Sequence, residues 1–154
     1  MSKPATTKPS EHAFPPFHQS LPMRLLRARD ATMLHFRPIL AEYKLTEQQW
    51  RVIRALRDAG ELEISPLARI CHVMLPSMSG ILKRLELRGL TRRSGSAHDQ
   101  RRSLISLTKR GEALIRDVSP KLKVCYRAVE ARLGAQKLQE LYRLLDEVAQ
   151  ELSE

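Results

Sequence analysis

The chain has 154 residues, 42% hydrophobic and 29% charged, the size and balance of one ordinary folded domain. No apolar run approaches the ~18 residues of a membrane-spanning helix, the N-terminus lacks the apolar stretch of a secretory signal, and two isolated cysteines, Cys71 and Cys125, exclude a disulfide framework or a cysteine-based zinc site. A net charge of +10 and an isoelectric point near 10.2 point to a polyanionic partner, nucleic acid before an anionic membrane surface.

Residues 1–19 hold four of the nine prolines and no periodicity, which predicts a flexible arm. From Leu21 the apolar residues fall at helical spacing (Leu21, Leu25, Ala28, then Phe36, Ile39 and Leu40). Pro22 suits a first helical turn, and Pro38 predicts a kink or restart near Phe36 and Arg37. Thr46-Glu47-Gln48-Gln49 has the form of a capping box opening a helix that carries Trp50, Ile53 and Leu56 on one face and ends at Gly60. Ser65-Pro66 reads as N-cap and first turn of a short helix through Cys71. Pro76 opens another, with Ile81, Leu82 and Leu85 inward and Gly89 as its stop. Two short helices with a tight break between them have the size of a helix-turn-helix.

After Gly89 the pattern changes to a hairpin. Leu90–Arg93 is strand-like, Ser94–Asp99 is turn chemistry, and Ser103–Leu107 reads as the return strand. Thr108 can cap a long helix with Ile115, Val118, Leu122, Cys125 and Val129 at alternating spacings of three and four. Pro120 predicts an early bend in it, and Cys125 is expected to be buried on its apolar seam. Gly134 separates a last helix whose Leu138, Leu141, Leu145, Val148 and Leu152 repeat the same spacing. That seam fits packing against a neighbour and a short coiled coil equally.

Most of the excess charge lies in one window. Residues 76–110 carry nine basic side chains against Glu86 and Asp99, a net +7, beside the helix-turn-helix and hairpin signals. Clustering of that kind favours a phosphate-contacting surface over a merely solvated face.

The order of elements resembles the MarR family of bacterial winged-helix transcription factors. Leu45-Thr46-Glu47-Gln48-Gln49-Trp50-Arg51-Val52-Ile53 is similar to the opening of that family's first reading-head helix. Leu85-Glu86-Leu87-Arg88-Gly89-Leu90 is similar to the end of its recognition helix. The stretch from Asp99 to Gly111 has the family's wing signature: Asp99-x-Arg101, then a strand ending Leu107-Thr108-x-x-Gly111. The opening, Ser20–Asp30 followed by Phe36-Arg37-Pro38, is similar to the subgroup of repressors of homoprotocatechuate degradation operons. One departure is Lys44, where the family often has glycine; a left-handed backbone there costs up to ~1–2 kcal/mol.

The fold expected is mostly α with a small β part (α+β): a winged helix-turn-helix over 46–111, and a helical dimerisation region from 20–45 and 112–154. At the start of the recognition helix, short polar side chains reach base edges and amides reach phosphates. Ser77, Ser79, Lys83 and Arg84 flank its exposed side. In the wing, Arg101 is assigned to the minor groove, oriented by Asp99, with Arg102 and Arg93 as further contacts. By resemblance, a small aromatic or heteroaromatic carboxylate releases the homodimer from a palindromic duplex operator. It binds where the first helix, the first reading-head helix and the long helix meet. Trp50 is the candidate wall, Arg29, His35 and Arg51 the polar partners, and His18 and Ser20 candidates from the arm.

No phosphate loop, metal-ligand spacing or nucleophile motif is present, so no enzyme activity, metal or cofactor is expected. The expected place is the bacterial cytoplasm at the nucleoid. Two other readings stand beside the repressor: a thiol redox sensor, for which Cys71 is the candidate, and a non-switching architectural DNA-binding protein.

Overall fold

The computed structural model describes residues 14–95 and 103–153. It divides into two compact units, the first ending at Met33 and the second beginning at Leu34. In the first, a short 3₁₀ turn, Phe17–Gln19, leads into helix α1, Leu21–Met33. Ser20 Oγ donates to Phe17 O at 2.9 Å and Arg24 Nε to Gln19 O at 2.9 Å, fixing the chain's approach to the helix. No residue of α1 is buried, and Leu21, Leu25 and Leu26 are exposed.

The second unit opens with α2, Arg37–Glu42, whose first turn contains Pro38. The proline restarts the helix there because it needs no amide partner in a first turn. Helix α3, Glu47–Ala59, begins on the capping box. The Gln49 amide donates to Thr46 Oγ1 at 3.1 Å, and the Thr46 amide to Gln49 Oε1 at 3.1 Å. Gly60, at φ +81°, closes it.

The next segment corrects the sequence reading. Glu61–Glu63 forms a strand, β1, that runs directly into α4, Ile64–Ile70. Glu63, not Ser65, therefore holds the N-cap position, and Ser65 and Pro66 lie in the first turn. The strand exists because a distant partner, β3, pairs with it, which a local pattern cannot reveal. Helix α5, Leu75–Leu87, then leads into β2, Thr91–Ser94, and β3, Leu104–Leu107. The antiparallel sheet has the order β1-β3-β2, with Leu62 opposite Ile105 and Arg93 opposite Ile105 on the other side. Between α5 and β2, Gly89 takes φ +65°, and the Leu90 amide donates back to Leu85 O at 3.0 Å. Only a residue at home with positive φ closes a helix this way without strain.

The core of this unit is a single cluster. Val52, Ile53 and Leu56 from α3 meet Leu67 of α4, Met78, Ile81, Leu82 and Leu85 of α5, and Ile105 of β3, all essentially inaccessible to water. Each such side chain contributes roughly 1.5–3 kcal/mol when fully buried.

Helix α6, Lys109–Leu133, covers one side, with Ile115, Val118 and Leu122 inward. It runs through Pro120 as one continuous element. Cys125 is only half-buried, not buried as its place on the seam implied, and its Sγ–H donates to His35 O at 3.1 Å. Beyond Leu122 the helix has outrun the core. After Gly134, helix α7, Ala135–Glu151, buries no residue and exposes Leu141, Tyr142, Leu144 and Leu145.

Candidate nucleic-acid interface and adjoining cleft

Helices α4 and α5 form the helix-turn-helix. The turn between them passes through His72 at φ +49°, and the Val73 amide donates to Ala68 O at 2.9 Å. Four apolar positions of α5 (Met78, Ile81, Leu82 and Leu85) anchor it in the core. That leaves Ser77, Ser79, Lys83 and Arg84 exposed, as the spacing predicted. Ser77 is not used as a cap: Met74 holds the N-cap position and no side chain caps the helix. The first-turn amides of Leu75 and Ser77 therefore lack intrahelical acceptors, which suits an anionic oxygen. Ser79 Oγ donates to Leu75 O at 3.3 Å, and a Cβ on Gly80 would stand 3.9 Å from the Arg84 guanidinium, so Arg84 lies along the helix surface there.

The root of the wing is well defined. Arg92 Nε donates to Ser106 Oγ at 3.0 Å. Arg93 Nε pairs with Glu86 Oε1 at 3.3 Å and so braces β2 against α5. Asp99, Arg101 and Arg102 lie outside the described residues.

Between α3 and α6 lies a cleft of about 260 Å³, lined by Trp50, Arg54, Arg57, Ser119, Leu122, Lys123 and Tyr126. The Tyr126 ring is held by Phe36, with centroids 4.8 Å apart and planes at 59°. Two aromatic rings thus stand beside three cationic side chains, and among the described residues no carboxylate pairs with Arg54, Arg57 or Lys123. A second hollow of about 350 Å³, lined by Arg57, Glu112, Ile115, Arg116 and Ser119, shares Arg57 and Ser119 with the first.

The residues named from sequence for a small ligand are divided between the two units. Trp50 lines the cleft. Arg51 points elsewhere, its Nη1 donating to Cys71 O at 2.7 Å, where it satisfies the end of α4. His35 is exposed and is not part of the lining. His18, Ser20 and Arg29 belong to the first unit. His18 Nε2 lies 3.3 Å from Gln19 Nε2, and Arg29 Nη1 pairs with Asp30 Oδ1 at 3.3 Å. Arg54, Arg57, Lys123 and Tyr126 were missed. Helical periodicity held a signal for the first: Arg54 follows Trp50 by four residues and shares its face, whereas Arg51 is turned away by about 100°.

Cys71 is fully buried, and that burial pushes its thiol pKa up against the opposing pull of Arg51. A sensing thiol needs a low pKa and access to oxidant, so the candidacy of Cys71 is corrected. Among the described residues no group of side chains could hold a metal ion, and no helix is long and apolar enough to cross a membrane.

A family model described as MarR matches residues 45–103. The chain is 43% identical over 130 residues to the homoprotocatechuate degradative operon repressor of Escherichia coli, covering 84% of this chain and 88% of that one. Its fold is similar to that of the transcriptional regulator PA4135 (TM-score 0.81, 42% identity, 88% and 98% of the two chains). It is also similar to NadR solved in complex with 4-hydroxyphenylacetate (TM-score 0.78, 39% identity, 85% and 96%).

Proposed function

Because this chain belongs to the MarR family, we propose that it is a cytoplasmic, non-enzymatic transcriptional repressor that leaves its operator when a small aromatic carboxylate fills the cleft between α3 and α6. The cleft carries this reading. Trp50 and Tyr126 offer flat apolar walls, and Arg54, Arg57 and Lys123 offer unpaired positive charge to a carboxylate. An apolar pocket with a few convergent polar groups is the usual form of a small-ligand site. The E. coli repressor named for an aromatic-acid operon and the 4-hydroxyphenylacetate complex of NadR support the same ligand class.

The reading head is α4–α5 with the β2–β3 wing. Ser77, Ser79, Lys83 and Arg84 meet the major groove, and Arg101, Arg102 and Asp99 serve at the wing. Arg93, already engaged with Glu86, positions the wing. Serines discriminate bases weakly, so DNA shape supplies part of the specificity. The exposed leucines of α1 and α7 provide the homodimer interface. Two-fold symmetry then requires a palindromic operator with half-sites about 10 bp apart.

The effector acts only through its differential affinity for two conformations. The test begins with a duplex selected by the protein from a random pool, which should be an imperfect palindrome. Binding to it is followed by fluorescence anisotropy during titration with 4-hydroxyphenylacetate and with its methyl ester. The acid should weaken binding by roughly 5- to 150-fold, a coupling of ~1–3 kcal/mol. The ester should do less, since it brings no negative charge to the exposed cations Arg54, Arg57 and Lys123. Arg54→Ala should lose the response while keeping DNA affinity in the absence of acid. If a panel of hydroxylated aromatic acids leaves the wild-type complex intact, the switch is wrong.

A further inference from the structure

A second basic concavity lies away from the cleft, where the α2–α3 corner meets the end of α5. It measures about 440 Å³ and is lined by Lys44, Gln49, Arg84, Leu87 and Arg88. Its lining contains three cations and no carboxylate. The nearby acids are occupied on other sides: Glu86 by Arg93 and Glu47 by Arg37, at 3.3 and 2.5 Å. Gln49 is nearly buried and committed to the capping box. Among the described residues Lys44 and Arg84 have no ion-pair partner.

The corner is built to hold Lys44 where it is. Lys44 sits at φ +54°, a left-handed conformation that an L side chain rarely adopts. Its amide donates to Ala41 O at 2.9 Å. Arg88 clamps the corner from α5, with Nη1 donating to Lys44 O at 2.7 Å and Nη2 to Tyr43 O at 2.9 Å. From the other side Tyr43 Oη donates to Asp117 O at 3.2 Å. A strained backbone that its neighbours over-determine is a place to look for function. The exposed Lys44 side chain lines the concavity with Arg84 and so adds its charge to the positive surface of α5.

We propose that Lys44, together with Arg84, binds a phosphate of duplex DNA just beyond the bases read by α5, so that the α2–α3 corner is part of the DNA-binding surface. The inference rests on the DNA-binding reading above. A contact of this kind carries no sequence information and acts through counterion release.

The experiment uses the full chain and a fluorescent 30-bp mixed-sequence duplex, with dissociation constants measured from 50 to 200 mM KCl. Each phosphate contact steepens the log–log salt dependence by about 0.9. Lys44→Gly and Lys44→Gln should therefore both lower the slope by about 0.9 for each protomer engaged. Lys137→Gln, on α7, should leave it unchanged. Glycine accepts φ +54° without a side-chain clash, so Lys44→Gly should melt no lower than wild type, which separates lost charge from lost structure. A wild-type slope retained in both Lys44 variants overturns the proposal and leaves the DNA-binding reading standing. A wild-type protein with no salt-dependent duplex binding overturns both.

Discussion

Replacing Gly111 with alanine sets two effects of opposite sign against each other. Gly111 lies in the first turn of α6, and alanine in a helix is favoured over glycine by up to ~1 kcal/mol. The surroundings oppose this. A Cβ at Gly111 would stand 2.2 Å from Leu90 O and 3.2 Å from Leu107 Cδ2, and ordinary contact begins at 3.4 Å. The obstacle is backbone, so the helix and the start of β2 must part by roughly 1 Å, a shift of the kind that overpacking forces at ~1–3 kcal/mol. That shift also strikes Thr108, whose amide donates to Leu90 O at 3.1 Å and whose hydroxyl donates to Gly89 O at 2.6 Å. These bonds contribute ~1 kcal/mol each. The sum favours glycine, with Gly111→Ala destabilising by about 2–3 kcal/mol against the propensity gain. For a chain of this length that lowers Tm by about 5–10 °C. Calorimetry at matched protein concentration measures it, since oligomerisation makes Tm concentration-dependent. Because Leu90 leads into the wing, DNA affinity should fall as well. A variant as stable as wild type would show that the approach of α6 to Leu90 is not a constraint, and the reasoning would fail.

Arg88→Ala removes two charge-assisted bonds from the α2–α3 corner and leaves Lys44 strained; it should lower the denaturation midpoint by the equivalent of about 2–3 kcal/mol with an unchanged m-value. A shift below about 0.5 kcal/mol would mean that solvent replaces the guanidinium without loss. For the thiols, a maleimide should label Cys125 in the native protein and Cys71 only after unfolding. The pKa of Cys71 is raised in the folded state, so its contribution to stability is complete below the ordinary thiol pKa. It is lost as pH rises from that value, where the unfolded chain ionises first, through the raised pKa of the folded state. Cys71→Ala should flatten that alkaline decline, and an unchanged decline would assign it to other groups.

The parts of this fold legible in the sequence are those set by contacts a few residues apart. The Thr46–Gln49 box, the restart at Pro38, the stops at Gly60, Gly89 and Gly134 and the Thr108 cap all close hydrogen bonds within one turn, so their partners stand side by side in the sequence. What escaped depends on distant partners. Glu61–Glu63 has no strand character of its own and is ordered by Ser106, Ile105 and Leu104, more than forty residues later. The cleft joins Trp50 and Arg54 to Lys123 and Tyr126 across some seventy residues. Cys125 lies on an apolar seam that sequence alone extends past the end of the core. Arg93, counted from sequence among the DNA contacts, also pairs with Glu86, a partner that the sequence does not reveal because strand β2 returns beside α5.

The same long-range contacts connect the cleft to the reading head. Trp50 and Arg54 line the cleft from α3, and Val52, Ile53 and Leu56 on the same helix are the floor on which α4 and α5 rest. Tyr126 and Lys123 line it from α6, whose first turn carries Thr108 and Gly111 against the root of the wing. The corner after α2 is tied to both, through Tyr43 to Asp117 of α6 and through Arg88 to α5. Arg54 and Arg57 on one helix and Lys123 on the other line the cleft together. On the proposed reading, a carboxylate bound there would bridge these cations and favour a closer approach of α3 and α6. Close-packed interiors do not absorb such a change by compression. Under that proposal the change would be passed on as a rotation of α3 with its reading helices or a shift at the wing root. A coupling of ~1–3 kcal/mol is enough to release a repressor. That is the size of one or two of the hydrogen bonds at either end, so no larger rearrangement is required.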